Sequence, residues 1–142
     1  MRLDYHLTQP GTGNWSSATE EDLRYRMALG DLIFQTGGHD FDAVWGWIPL
    51  IDLAASFATI VGKLERVAGA EIFEFTESDA WIRFEREGQA VTITTSYQPG
   101  AAKIPVSELK AKVREFQEKL KTELTSRYPE AKNNQHFRRL LG

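Results

Sequence analysis

The side chains of this sequence that could do chemistry are carboxylates, tryptophans and three histidines. Asp52 lies in the most apolar stretch of the sequence, shortly after the tripeptide Trp45-Gly46-Trp47. Burial raises the pKa of a carboxyl group unless the group is paired, and such a carboxyl can act as a general acid or base. A pocket near Trp45, Trp47 and Asp52, in a small-molecule-binding protein or an unrecognised enzyme, is therefore one functional hypothesis. In the alternative interpretation Asp52 lies at a helix edge and the tryptophans anchor a loop.

The remaining chemistries find little support in residue type or spacing. The sequence has no Cys, which excludes disulfides, thiolate metal ligands and a Cys nucleophile. The histidines His6, His39 and His136 are far apart, and none belongs to a His-x-x-x-His pair. His39 has Asp40 and Asp42 beside it, but a solvated acidic loop explains that segment better than a metal site. No Gly-x-Ser-x-Gly elbow marks a nucleophilic serine. We therefore expect no catalytic residue, no metal and no cofactor.

The charge distribution favours a protein partner over a nucleic acid. Residues 1–102 contain 7 basic and 15 acidic side chains, whereas residues 103–142 contain 10 and 5. Within the basic segment, the six Lys and Arg of residues 106–127 alternate with four Glu, which is typical of a solvated helix with i,i+4 ion pairs. The acidic part of the sequence is suited to a basic partner.

Targeting and membrane signals are absent from the sequence pattern. Residues 1–20 show no basic start followed by an apolar stretch, so a signal peptide is not expected. The apolar region 45–67 is interrupted by Asp52 and Lys63 and is too polar to span a bilayer. The cytoplasm, without membrane association, is the expected location.

Alternation of polar and apolar residues predicts three strands in the first third of the sequence. Leu3, Tyr5 and Leu7 would share one face of the first strand. Residues 14–22 would form a polar loop, and residues 23–27 and 31–35 show the same alternation as the first strand. After the turn at Gly37-Gly38, residues 39–46 would form a loop rich in acidic and aromatic side chains.

Two long segments have helical periodicity instead. After Pro49, which suits the first turn of a helix, apolar residues cover a wide face over residues 50–67 and predict a buried core helix. After Pro105, a narrow apolar stripe over residues 106–127 predicts a surface helix. A short last helix would present Phe137, Leu140 and Leu141.

Residues 71–97 predict a three-stranded antiparallel meander. A two-residue turn at Glu87-Gly88 would pair Phe84 with Val91, and a turn at Ser78-Asp79 would pair Phe84 with Phe73. Both registers place the same apolar side chains on one face of the sheet, namely Phe73, Phe75, Ile82, Phe84, Val91 and Ile93. The sequence therefore predicts a single α+β domain over residues 1–142. Its antiparallel β-sheet would include the meander and pack against the core helix and the long C-terminal amphipathic helix.

Two sequence strings carry a resemblance to a known group of proteins. They are Trp45-Gly46-Trp47-Ile48-Pro49-Leu50-Ile51-Asp52-Leu53-Ala54 and, before a hairpin, Phe73-Glu74-Phe75-Thr76-Glu77-Ser78. This pattern, over roughly residues 30–140, resembles a family of small bacterial single-domain proteins that are similar to the immunity proteins of polymorphic toxin systems. The resemblance supplies no catalytic residue. It implies a non-enzymatic inhibitor that binds a toxin domain and occludes it.

In such an inhibitor an acidic surface would meet a basic toxin active site. Complementary charge would speed the encounter, and a few aromatic side chains would hold the complex together. Charge and expected exposure select the candidate partner contacts Asp40, Asp42, Trp45, Glu74, Glu77, Asp79 and Trp81. A binding protein of this kind is the leading functional hypothesis, ahead of the pocket near Asp52 and of a plain structural or assembly module.

Overall fold

Two four-stranded antiparallel sheets and the helices packed on them make up the fold, which confirms the predicted α+β class. The computed structural model describes residues 1–142. Its elements, in chain order, are β1 (Arg2–Pro10), α1 (Glu20–Tyr25), β2 (Ala28–Thr36), β3 (His39–Asp40), β4 (Ala43–Pro49), α2 (Leu50–Arg66), β5 (Gly69–Glu74), β6 (Trp81–Glu87), β7 (Ala90–Thr95), β8 (Ala102–Pro105), α3 (Val106–Arg127), a short 3₁₀ helix (Pro129–Asn133) and α4 (Gln135–Leu141).

The first sheet has β2 at its centre, with β1 on one side and β3 and β4 on the other. The second sheet has the simple order β5-β6-β7-β8. Helix α2 follows β4 and leads into β5, so it connects the two sheets. Both sheets and the helices contribute to one core of 36 buried hydrophobic residues.

Phe57 shows how α2 holds the two sheets together. Its ring meets Phe34 of the first sheet at a centroid distance of 6.4 Å. It also meets Phe73 and Phe84 of the second sheet at 5.4 Å, both edge to face. Edge-to-face aromatic pairs add to the burial of apolar area, so one side chain of α2 stabilises the contact with each sheet. The prediction of a central core helix over residues 50–67 is confirmed, since α2 buries ten of its residues.

The two predicted C-terminal helices are confirmed as well. Helix α3 begins at Val106 and ends at Arg127, and five residues of its predicted stripe are buried. Helix α4 buries Phe137, Leu140 and Leu141 as expected. No helix in the structure combines the length and the hydropathy needed to cross a bilayer.

The predicted strand over residues 23–27 is wrong, because residues 20–25 form helix α1. Thr19 caps this helix by accepting a hydrogen bond from the backbone N–H of Asp22 at 3.1 Å. The acidic side chains of its first turn complement the positive end of the helix dipole. This short helix buries only Leu23. The alternation of arginines with apolar residues therefore does not indicate a strand here.

The predicted loop over residues 39–46 is also wrong. Residues 39–40 form β3 and residues 43–49 form β4, both paired with β2. The positive φ angles of Gly37 and Gly38, 57° and 79°, allow the tight turn that folds this segment back along β2.

The meander exists, but its predicted register is wrong by two residues in both hairpins. Phe84 pairs with Ile93 instead of Val91, and with Glu71 instead of Phe73. The second hairpin turns at Gly88-Gln89, where Gly88 has a φ of 59° and takes the first central position of the turn. A shift of two residues preserves the face of every side chain, so the predicted apolar face is confirmed. A fourth strand, β8, extends the meander beyond the predicted three.

Candidate functional site

A bulge in β4 places the two tryptophans of the Trp-Gly-Trp sequence. Gly30 of β2 pairs with Ile48, whereas Leu32 pairs with Ala43, so residues 44–47 lie opposite Asp31 alone. The buried Asp31 carboxylate accepts a hydrogen bond from the Gly46 N–H at 2.8 Å. Gly46 has a φ of 79°, a conformation that glycine adopts without strain. The bulge is therefore a hydrogen-bonded and ordered platform.

The two indoles of this platform stack on each other and pack against residues at the end of the second sheet. Trp45 and Trp47 lie nearly parallel, with centroids 5.5 Å apart and an interplanar angle of 22°. Trp45 also makes edge-to-face contacts with Phe75 at 5.0 Å and with Tyr97 at 5.1 Å. Trp45 is thus anchored by its neighbours, while the aromatic contact of Trp47 is with Trp45. Both tryptophans are half-buried.

An open hollow of about 570 Å³ lies beside this stack, where the first sheet meets the end of the second. Its wall is completed by the turn between β5 and β6 and by the residues that follow β7. The lining residues are Trp45, Trp47, Ser78, Asp79, Ala80, Ser96 and Tyr97. We call this space the aromatic hollow. None of the lining side chains is cationic.

A second hollow of about 380 Å³ lies on the other side of the same turn. It shares Ser78, Asp79 and Ala80 with the aromatic hollow and adds Glu74 and Trp81. The structure therefore brings four of the predicted partner contacts, Trp45, Glu74, Asp79 and Trp81, to two adjoining hollows. Glu77 belongs to the same turn and is exposed, but it lines neither hollow.

Asp40 and Asp42 lie near the same surface, beside Tyr97. The Tyr97 hydroxyl donates a hydrogen bond to the Phe41 carbonyl at 2.7 Å. Burial, together with the charges of Asp42 and Asp40, raises the pKa of the Tyr97 phenol above its ordinary value. We call the whole set the acidic aromatic surface; its residues are Asp40, Asp42, Trp45, Trp47, Glu74, Glu77, Asp79, Trp81 and Tyr97.

The two aspartates have different surroundings. The Asp42 carboxylate accepts hydrogen bonds from the Phe34 N–H at 2.7 Å and from Gln35 Nε2 at 3.0 Å. Asp40 accepts one from the Asp42 N–H at 2.9 Å and is exposed. Asp42 therefore also stabilises the turn into β4, and replacing it would change the fold together with the charge.

The carboxylates of this surface differ from most others in having no cationic partner. Twelve of the 20 Asp and Glu side chains form ion pairs within the protein. Five of the other eight are Asp40, Asp42, Glu74, Glu77 and Asp79; the remaining three are Glu87, Glu118 and Glu130. Uncompensated negative charge is thus concentrated around the two hollows.

Asp52 lies elsewhere, in the first turn of α2. It is buried, and its Oδ1 is 2.6 Å from Nη1 of Arg24. The adjoining hollow, of about 410 Å³, is lined by Arg24, Tyr25 and Asp52 among others, and by neither Trp45 nor Trp47; it shares Glu74 with the hollow beside Trp81. Burial raises the pKa of the Asp52 carboxyl, although the hydrogen bond and charge of Arg24 oppose this. No single pocket therefore contains all three predicted residues, and Asp52 lies in a partly buried ion pair with Arg24.

Replacing Arg24 with Met should lower the free energy of unfolding by about 2 kcal/mol at pH 7 and by much less near pH 4. Removing the guanidinium leaves the buried Asp52 carboxylate unpaired, which destabilises the fold. The loss of stability should be smaller than for a fully buried pair, because the Arg24 side chain is 27% exposed. The Asp52 pKa is already raised in the folded state, so the folded protein binds this proton more readily than the unfolded chain. The carboxyl therefore stabilises the fold most below its unfolded pKa, and this contribution is lost as pH rises through the folded value.

Urea unfolding of the variant and the parent at several pH values tests this prediction. Asp52→Asn in the parent and in the Arg24→Met background is the control. Most of the pH dependence of the Arg24→Met effect should disappear when Asp52 is replaced, because the remaining partner Glu20 is exposed and lies 3.9 Å from Arg24. A loss of stability that is equal at pH 4 and pH 7 would show that Arg24 acts through packing alone.

The sequence did not predict four residues that line the aromatic hollow: Ser78, Ala80, Ser96 and Tyr97. Tyr97 follows β7 and precedes Pro99-Gly100. Its position beside a turn is the one feature of the sequence that indicates a surface aromatic residue here. The two serines have hydrogen-bonding roles that the sequence does not reveal. Ser96 Oγ accepts from the Trp81 N–H at 2.8 Å, and Ser78 Oγ accepts from the Ala80 N–H at 3.0 Å.

Comparisons of the chain with protein-family models, with curated proteins and with solved structures found no match.

Proposed function

We propose that this protein is a non-enzymatic binding protein, whose acidic aromatic surface occludes a basic region of a partner protein. The single observation that carries the proposal is that unpaired carboxylates meet half-buried aromatic rings: Glu74 and Asp79 line the two hollows, and Asp40 and Asp42 act on the pKa of Tyr97, which lines one of them. Most carboxylates elsewhere have cationic partners within the chain, and the Asp42 carboxylate is engaged by the Phe34 N–H and Gln35. Asp40, Glu74, Glu77 and Asp79 are therefore the carboxylates of this surface best suited to an external cation. The partner we propose is a bacterial toxin domain, as the resemblance to immunity proteins implies.

Charge and aromatic rings would have separate tasks in this mechanism. Unpaired surface carboxylates raise the rate of encounter with a basic partner, because long-range attraction orients the two proteins before contact. Partly buried aromatic side chains then slow dissociation, since tryptophan and tyrosine are the usual energetic centres of protein interfaces. The inhibitor would act by covering the active site of the toxin.

The local structure supports a surface that is ordered before binding. The turn between β5 and β6 is closed by a hydrogen bond from the Phe75 N–H to the Ala80 carbonyl at 3.0 Å. The Trp81 N–H donates to Ser96, and the Ser96 N–H donates to the Trp81 carbonyl at 3.1 Å. Less conformational entropy is lost on binding when the contact groups are already fixed.

Binding kinetics with any toxin domain that is encoded beside this gene test the proposal. Reversing Asp40, Glu74, Glu77 and Asp79 to Lys should lower the association rate constant by about tenfold or more at low salt. The difference should shrink as salt rises, because the Debye length falls from about 10 Å at 0.1 M to about 3 Å at 1 M. Asp42 is left unchanged in this variant because its carboxylate holds the turn into β4.

The matched control reverses Glu87, Glu118 and Glu130, which are also unpaired but lie outside the acidic aromatic surface. It is compared with the triple reversal of Glu74, Glu77 and Asp79, so that both variants change the net charge by the same amount. The control should keep most of the parental association rate, and the folding of both variants is checked first by thermal unfolding. Equal effects of the two sets would indicate net charge and remove the acidic aromatic surface as the interface. Absence of binding to any toxin domain encoded nearby would overturn the inhibitor function itself.

A further inference from the structure

The aromatic hollow contains a carboxylate with its hydrogen-bonding capacity unused. Asp79 lines the hollow, is exposed and makes neither an ion pair nor a hydrogen bond with the rest of the chain. The two serine hydroxyls that share the wall already accept hydrogen bonds from backbone N–H groups. Asp79 is therefore the one anionic group in the wall that an incoming side chain would meet.

The other wall of the same hollow is a stack of aromatic rings. The faces of tryptophan and tyrosine carry partial negative charge and attract cations, tryptophan most strongly. A ligand that fits both walls must be positively charged for Asp79 and must have an apolar or planar surface for the rings. The four other unpaired carboxylates of the acidic aromatic surface add to the attraction for a cation and disfavour an anionic ligand.

Guanidinium fits this combination better than ammonium. It is planar, more weakly hydrated and able to stack on an indole while its N–H groups point sideways to a carboxylate. An ammonium group is a compact, strongly hydrated charge that cannot stack in this way. We propose that the partner inserts an arginine side chain into the aromatic hollow, where its guanidinium stacks on Trp47 and pairs with Asp79.

This inference rests on the proposed function and names the side chain that the partner supplies. Its test uses small probes instead of the toxin domain, so the two ideas can fail separately. The probes are the Nα-acetyl amides of arginine, lysine and citrulline. Citrulline keeps the planar shape of the arginine side chain and lacks the charge.

Titrations are followed through the indole N–H signals of the four tryptophans by NMR. The arginine probe should shift the signals of Trp45 and Trp47 in a saturable manner, while the buried Trp15 serves as an internal reference. Arginine should bind roughly threefold to fivefold more tightly than lysine, the size of an exposed cation–π contact. The citrulline probe should give no saturable shift.

Three variants assign the interaction to its two walls. Trp47→Ala should weaken arginine binding roughly threefold to fivefold and remove the preference over lysine. Asp79→Asn should weaken arginine and lysine binding alike. Glu118→Gln, which removes an unpaired carboxylate on α3, should leave both unchanged.

Several results would overturn the arginine anchor. One is equal binding of arginine and citrulline; another is equal effects of Asp79→Asn and Glu118→Gln. Saturable binding of the neutral disaccharide cellobiose at the same tryptophans, without binding of the arginine probe, would indicate a carbohydrate site. If the toxin domain binds in a charge-dependent way and the arginine probe does not, the anchor is wrong and the proposed function stands. If the arginine probe binds and no basic protein does, the inhibitor function is wrong and a guanidinium site remains.

Discussion

Replacing Phe84 with Ala should lower the free energy of unfolding by about 3–5 kcal/mol, the usual cost of truncating a fully buried Phe. Phe84 lies at the centre of the second sheet with 1% of its surface exposed. Its ring packs edge to face on Phe57, the side chain of α2 that also contacts the first sheet. The substitution therefore leaves a cavity where the helix joins both sheets. Denaturant unfolding, compared through the midpoint and the m-value, measures the effect.

Ile72→Ala is the matched control, because Ile72 lies on the neighbouring strand and is 53% exposed. It should change stability by less than about 0.5 kcal/mol, as surface substitutions usually do. Should Phe84→Ala fail to fold, Phe84→Leu would keep most of the volume and should cost less than about 1.5 kcal/mol. An unchanged midpoint and m-value for Phe84→Ala would contradict the burial of this ring.

The correct face and the wrong register of Phe84 have one physical origin. Side chains alternate with a period of two along a strand, so the apolar pattern specifies a face and leaves registers that differ by two residues equivalent. The turn decides between them. In the second hairpin the central residues are Gly88 and Gln89, and only Gly88 has a positive φ, of 59°, so the turn has glycine first, as II′ turns do. The prediction placed Gly88 second, which shifts the pairs of this hairpin by two residues. In the first hairpin residues 75–80 connect the strands in place of the predicted two-residue turn, which shifts its pairs by the same amount. A long helix such as α3 has no register to choose, and its bounds were predictable to the residue.

The sequence allows the residue types of the candidate site to be predicted, but not which of those residues lie close together in the fold. Exposed carboxylates and tryptophans can be selected by type, and the structure does gather Trp45, Glu74, Asp79 and Trp81 around one turn. Their proximity depends on how the first sheet meets the second, which no local pattern encodes. Asp52 is close to the tryptophans in sequence, and this suggested a common pocket. In the structure Asp52 lies in α2, beyond the junction with β4, and pairs with Arg24 instead.

The Asn134 side chain connects the N-terminal loop to the C-terminal helix through hydrogen bonds. Its side chain is buried, with 3% of its surface exposed, and every polar group of the amide has a partner. Nδ2 donates to the Trp15 carbonyl at 3.0 Å and to the Ala18 carbonyl at 2.8 Å. Oδ1 accepts from the backbone N–H groups of His136 and Phe137 and so caps α4.

Replacing Asn134 with Ala should lower the free energy of unfolding by about 3 kcal/mol. Loss of a helix cap usually costs about 1 kcal/mol, and each carbonyl left without its donor in a buried place adds a similar amount. Asn134→Ser separates the two contributions, since a serine hydroxyl can still cap α4 but cannot reach both carbonyls. The serine variant should therefore lie between the parent and Asn134→Ala in denaturant midpoint.

Hydrogen exchange gives a second measurement: Asn134→Ala should speed exchange in α4 and Asn134→Ser should not. If both variants are as stable as the parent, the N-terminal loop is held by the stacking of Trp15 on Tyr128, whose centroids lie 4.5 Å apart, and the Asn134 hydrogen bonds contribute nothing to stability.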